Sequence, residues 1–287
     1  VRPEPMPTSR RIRIPRAGSE LDRRHFLAAL SVATIGAVGV SRWAFGEGQQ
    51  IAGAAAEAPI PPAATAGAGL LAPPPPSARI PLPGGGVLSS LPGDGDMLAL
   101  TLDDGVSSEV VGAYTQFAKD TGVRLTYFVN GVYSSWTDHV GLLRPLVDDG
   151  QIQLANHTWL HPNLTKLPLD AVAEELRHDH DFLWKTYGID ARPYFRPPYG
   201  AHNANVDKVA GELGYAIDTL WSGDLGDQVV MPEPEIVTMA EKYFNPQTIV
   251  IGHLNHLPVT HVYGALVDII RDRRLRTVTL NDVFLKP

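Results

Sequence analysis

Cysteine is absent from all 287 residues, so a disulfide framework, a thiolate metal site and a lipid-modified cysteine anchor are all excluded. An apolar stretch long enough to cross a membrane is missing near the N-terminus, where the uncharged run from Phe26 to Val40 covers only fifteen residues. Positive charge is scarce in the body of the chain. Residues 93–287 hold fifteen Lys or Arg against twenty-six acidic residues, whereas residues 1–92 hold nine Arg against five acidic residues. The net charge of -7 therefore averages a basic front and an acidic body. An acidic body repels phosphate backbones, which argues against nucleic acid as a partner. The 44% hydrophobic content suits one domain of ordinary core size together with some non-core sequence.

The front of the chain reads as an address and a tether. Arg23 and Arg24 stand just before Phe26 and Leu27, and the apolar run that follows has signal-peptide length. The pattern resembles a twin-arginine export signal over residues 1–56, with cleavage expected near Ala54 to Ala56, or a membrane tether if the segment is retained. Export through the twin-arginine machinery would place the protein in the periplasm, cell wall or extracellular space. Ten prolines lie between Pro59 and Pro92, so residues 57–92 are expected to be a disordered Pro/Ala/Gly-rich linker that cannot offset its own ordering entropy.

From residue 93 to 287 the pattern is that of a single catalytic domain. Seven short β-type runs begin at Met97, Arg124, Gln151, Tyr194, Tyr215, Thr248 and Arg276. Helical-period segments lie between them, near 108–120, 140–149, 169–187, 205–213, 234–244 and 263–273, with a short last one after Asn281. Such alternation predicts an α/β fold with a parallel sheet and outer helices, and seven units in this length favour a small or incomplete barrel. In such folds catalytic groups gather at the C-terminal ends of strands, and five polar clusters follow directly on these runs.

The first cluster is TLDDG, with Asp103 and Asp104. Two adjacent carboxylates at a strand end need a cation or donors to balance them, although Asp-Gly alone is also a turn signal. The second is HTWLHP, where His157 and His161 stand four apart; on a helical turn both imidazoles would face one ion. Two imidazoles and one carboxylate leave coordination positions open, as a catalytic divalent cation requires, with zinc first and cobalt, nickel or manganese as alternatives. In FRPPYG, Pro197 and Pro198 stiffen the backbone ahead of Tyr199, and Arg196 can fork onto a carboxylate. WSGDLGD contributes Trp221, Asp224 and Asp227, and IGH places His253 two residues after Ile251.

In this order the five clusters resemble the motifs of the polysaccharide deacetylases of carbohydrate esterase family 4, the NodB homology domain, over about Asp96 to Phe284. The resemblance implies a distorted (β/α)7 barrel and a role for each matched residue. Asp103 would be the general base, tethered by Arg196, while Asp104, His157 and His161 would hold the metal. The Tyr199 amide, beside Pro197, would help stabilise the oxyanion. His253 would be the general acid, oriented by Asp227 or Asp224. Two departures stand out. Gln228 occupies the position after the orienting Asp where the family usually has Trp, so Trp221 is expected to build the acetyl-pocket wall instead. Val106 and Ile251 replace a usual Pro and Leu.

The expected reaction is N-deacetylation of an amino-sugar glycan such as peptidoglycan or chitin oligomers, by a monomer. Acetylxylan O-deacetylation uses the same site, and a non-catalytic glycan-binding module would lack the base or a ligand. An iron oxygenase also uses two histidines and a carboxylate, but would leave Asp103, RPPYG and His253 without a role.

Overall fold

A computed structural model describes residues 69–286. Its strands are β1 (Gly86–Leu88), β2 (Met97–Asp104), β3 (Leu125–Val129), β4 (Ile152–Asn156), β5 (Tyr194–Phe195), β6 (Ile217–Thr219), β7 (Gly223–Asp224), β8 (Thr248–His253) and β9 (Arg276–Thr277). They form one curled sheet in the order β1-β6-β5-β4-β3-β2-β8-β7, with β9 paired to the start of β2. Every strand pair is parallel. The helices are α1 (Ser108–Thr121), α2 (Ser135–Asp138), α3 (Val140–Asp148), α4 (Leu169–Tyr187), α5 (Ala204–Glu212), α6 (Glu233–Tyr243), α7 (Tyr263–Asp272) and α8 (Leu280–Val283). A parallel sheet curled into a half-barrel with outer helices is the incomplete barrel expected from the alternation and the distorted (β/α)7 architecture that the resemblance implies.

Two apolar layers explain the curl. Along β2, Leu98, Leu100 and Leu102 pack under the helices, whereas Ala99 joins an inner cluster with Phe128, Ala155, Tyr194, Ile217 and Ile249. Strands buried on both faces read as near-continuous apolar runs, which is why they were visible in the sequence. Helix ends follow local chemistry. Ser107 caps α1 by accepting from the Val110 amide, and Gly122 closes it in the left-handed region.

All seven expected β-type runs fall on strands, but β1 and β7 were not foreseen, being three and two residues long. The run from Arg276 is cut short: Thr279 and Asp282 form a capping box that starts α8 instead.

The expected boundaries need one correction. The twin-arginine-like segment 1–56, and the expected linker as far as residue 68, lie outside the described residues. From Gly69 onward the expected linker is ordered. β1 pairs with β6, Leu88 and Leu91 are buried in the inner cluster, and Ile80 bridges to Phe284. Proline content does not prevent this. Pro75 keeps an extended φ of -64° and ψ of 151°, and the segment needs only a few anchoring side chains and strand bonds to lie against the sheet. The folded unit thus begins well before residue 93. Among the described residues no helix is long and apolar enough to cross a membrane.

Candidate active site

Strand β2 ends between β3 and β8, and its last two residues open the site. Alternation carries Thr101 and Asp103 to the inner face. Asp104 would point outward by the same rule, but its φ of +77° turns the second carboxylate toward the same mouth. Gly105 makes that turn possible, because a Cβ there would lie 2.5 Å from the Trp136 indole.

His157 directly follows β4. Its Nδ1 lies 2.7 Å from the Arg196 carbonyl, which can only accept, so the proton sits on Nδ1 and Nε2 offers its lone pair to the site. His161 joins it through a tight irregular turn with Thr158 at φ +72° and His161 at φ +59°. The helical turn expected from the four-residue spacing is therefore not how the imidazoles meet. Asp104 Oδ1 is 3.4 Å from His157 Nε2 and 3.3 Å from His161 Nε2. A tetrahedral ion with bonds near 2.1 Å separates its donors by about 3.4 Å.

The residues fit a divalent cation on a second ground. Asp104 Oδ1 is buried and accepts no hydrogen bond, an orphan acceptor that an ion would satisfy. Burial works to raise the pKa of Asp104, yet His157 and His161 hold it well below the usual carboxylate range. Burial, reinforced by His157, lowers His161 to about 4, so its imidazole is neutral and able to ligate at neutral pH. Asp104, His157 and His161 are one of two such metal-capable groups among the described residues.

Arg196 is fully buried and every arm of its fork is used. Nη1 donates to Asp103 Oδ1 at 2.6 Å, Nη2 to Thr101 Oγ1 at 2.8 Å and to the Leu220 carbonyl at 3.2 Å, and Nε to the Thr219 carbonyl at 2.8 Å. Its guanidinium also lies 4.1 Å from the centre of the Phe128 ring. Asp103 is thereby held in one orientation against the guanidinium, with its other oxygen 3.5 Å from His157 Nε2.

His253 ends β8 and is in register with Asp103 on β2. Asp227 Oδ1 is 3.0 Å from its Nδ1, and Asp227 Oδ2 accepts from its amide at 3.2 Å. Asp224 instead accepts from the Gly226 amide at 2.6 Å, so the geometry selects Asp227 as the partner of His253. Burial opposes a charge on His253, but Asp227 pulls its pKa up to about 9.

Asp103, Asp104, His157, His161 and His253 line one cleft of about 470 Å³, joined by Tyr199, Trp221, Asp224, Gln228, Ile251, Tyr133, Val106 and Asn255, with Arg196 and Asp227 behind its wall. Tyr199 sits at the mouth with φ +62°, its ring 4.7 Å from that of His161, while Pro197 is buried behind it. Trp221 lies beside the Arg196 guanidinium, 5.6 Å from ring centre to carbon, and Gln228 is exposed.

Residues 91–217 match the family model described as polysaccharide deacetylase. Over that stretch, somewhat less than half of its length, the chain is similar to polysaccharide deacetylases. Over 134 residues it is 36% identical to the peptidoglycan-N-acetylglucosamine deacetylase PgdA of Listeria monocytogenes, a match covering 45% of this chain and 26% of that protein. It is 29% identical over 198 residues to a chitin deacetylase of Arthroderma benhamiae, covering 66% of this chain and 52% of the relative. The chain thus spans about a quarter of one relative's length and half of the other's. Among solved structures, the Bc1960 peptidoglycan N-acetylglucosamine deacetylase superposes with a TM-score of 0.62 at 26% identity, over 70% of this chain and 93% of that one.

Within the cleft the structure adds Asn255, which sequence reasoning missed. Its Nδ2 donates to Asp104 Oδ2 at 2.6 Å and its Oδ1 accepts from the Val106 amide at 3.2 Å. The only signal was an amide side chain two residues past His253. Thr101 and Asn130 were missed as well. Asn130 Nδ2 holds the carbonyls of His157 and Thr158 at 2.5 and 2.9 Å, fixing the histidine turn.

Proposed function

We propose that this chain is an exported, divalent-cation-dependent hydrolase that removes acetyl groups from N-acetylated amino-sugar glycans of the peptidoglycan or chitin class. One observation carries the reading. A single mouth brings together an orphan carboxylate oxygen flanked by two imidazoles, a carboxylate locked by a buried arginine, and a histidine kept protonated by its own aspartate.

Asp104, His157 and His161 would hold the cation, zinc before cobalt, nickel or manganese on donor type. When bound, it supplies Lewis acidity, polarising the acetyl carbonyl and acidifying water. Asp103, fixed by Arg196, takes the proton from the attacking water. The Tyr199 amide donates to the oxyanion as charge develops. Protonated His253, oriented by Asp227, delivers a proton to the leaving nitrogen. Trp221 and Ile251 wall the space for the acetyl methyl.

An amine is a poor leaving group unless protonated, whereas a sugar alkoxide needs less help. A strongly proton-retaining His253 therefore favours N-acetyl over O-acetyl substrates. The names of the peptidoglycan- and chitin-acting relatives support the same class. Arg23 and Arg24 ahead of the Phe26 to Val40 run support export by the twin-arginine route, with the domain acting as a monomer on the cell wall or beyond it.

Acetate release measured on peptidoglycan, chitin oligomers and acetylxylan tests the reading. N-acetyl substrates should be turned over, chelation should abolish release, and zinc or cobalt should restore it. Full activity after exhaustive chelation, with metal content near zero, would reject the cation's role. Turnover of acetylxylan alone would move the chain to O-deacetylation.

A further inference from the structure

A second histidine-carboxylate group lies outside the cleft, on the opposite face of β6. Ile217 belongs to the inner cluster and Asp218 follows it, so alternation sends the Asp218 side chain outward toward α5. Asp207 stands in the first turn of α5, and His202 lies on the segment leading into that helix. His202 Nδ1 is 3.0 Å from Asp207 Oδ1 and 3.5 Å from Asp218 Oδ2. Only 3% of Asp218 is exposed, and among the described residues no N–H group makes a hydrogen bond to its carboxylate. A buried carboxylate crowded by a second one, with only the His202 imidazole to balance them, therefore faces the space between the three side chains.

We infer that His202, Asp207 and Asp218 form a second divalent-cation site, separate from the catalytic one, that staples α5 and the segment after RPPYG to β6. Their ligand atoms all lie within 4.8 Å of one another. The separations of 3.0 and 3.5 Å bracket the donor spacing of about 3.4 Å around a tetrahedral ion. One imidazole nitrogen with two carboxylate oxygens suits zinc, cobalt or manganese better than calcium or magnesium, which prefer all-oxygen shells. His202 and Asp207 are partly exposed, which leaves an entry path. Burial and the adjoining Asp207 charge push Asp218 up to about 7, the crowding that a bound cation relieves. A protonated His202 bridging the two carboxylates is the competing account of the same contacts.

The location gives the ion a positioning role. Asp218 immediately precedes Thr219, whose carbonyl takes Arg196 Nε at 2.8 Å, and His202 follows Tyr199 by three positions. Order imposed at the back of β6 is thus passed to the tether of Asp103 and to the mouth of the cleft.

Metal content of the full chain, stripped, loaded with zinc and desalted, separates the two accounts. The wild type should retain about two zinc ions per chain, and Asp218→Asn, His202→Gln and His161→Ala about one each. The double variant His161→Ala/Asp218→Asn should retain none, with circular dichroism verifying that each protein is folded. Excess zinc should raise the Tm of His161→Ala by about 5 °C and leave that of the double variant unmoved. Two ions retained by both His202→Gln and Asp218→Asn would overturn the inference, as would one ion in the wild type and none in His161→Ala. One ion in both the wild type and His161→Ala, lost in His202→Gln, would uphold this site while removing the catalytic one. The outcome is therefore independent of deacetylation.

Discussion

The two ends of the sheet handle buried charge in opposite ways. At the N-terminal ends of the strands, Arg124 donates to both oxygens of Asp282 at 2.6 and 2.9 Å and to the Gly150 carbonyl at 2.5 Å, leaving the pair balanced. At the C-terminal ends, Asp104 Oδ1 is left without a hydrogen bond beside the His157 and His161 imidazoles, and a second carboxylate sits next to it. A buried charge left unmatched costs stability unless something outside the chain completes it. The balanced end thus reads as architecture and the unmatched end as chemistry.

The contrast is broken most severely at Asp104. Asp104→Ala should lose both the ion and acetate release, at least about a thousandfold in kcat/KM, as read by metal content and a release assay. Asp103→Asn should keep the ion and lose about 10² to 10⁴ in kcat, because only the proton acceptor is gone. Normal turnover by that variant would remove Asp103 from its proposed role.

Arg124→Met sharpens the comparison from the other end. It strands Asp282 and should lower stability by about 3 kcal/mol in a denaturant titration, while kcat of the remaining folded protein stays the same. An equal loss of activity would dissolve the distinction between the ends.

A smaller effect is expected in the pH response of His253. Its folded pKa near 9 lies above the ordinary value, so the stability from its bond to Asp227 is fully present below pH 6.5 and is lost as pH rises through about 9. In the metal-free protein, NMR titration of His253 should give that value, and Asp227→Asn should return it toward or below 6.5. An unchanged titration would mean that Asp227 does not set the charge. The smallest change belongs to the exposed wall: Gln228→Ala should alter KM by no more than about threefold, since surface side chains contribute little.

Legibility in the sequence followed the same division. The strands β2, β3, β4 and β8 were readable because burial on both faces makes them continuous apolar runs, and the helices because their burial repeats with the helical period. β1 was hidden in proline-rich sequence whose composition argued for disorder, and only contact with β6 shows that Leu88 and Leu91 have somewhere to bury. Asn255 and Asn130 were hidden for a different reason. An amide side chain has no characteristic spacing, and its importance lies wholly in which carbonyl or carboxylate it meets.

By itself the sequence determined which side chains with catalytic chemistry stand at strand ends, because periodicity and motif order are local properties of the chain. Tertiary structure alone decided that Asp227 rather than Asp224 meets His253, that His157 and His161 converge through left-handed turns rather than a helix, and that residues before 93 belong to the fold. Each of those outcomes depends on distances between segments far apart in sequence, and such distances are set by how the two apolar layers pack rather than by any residue's own preference.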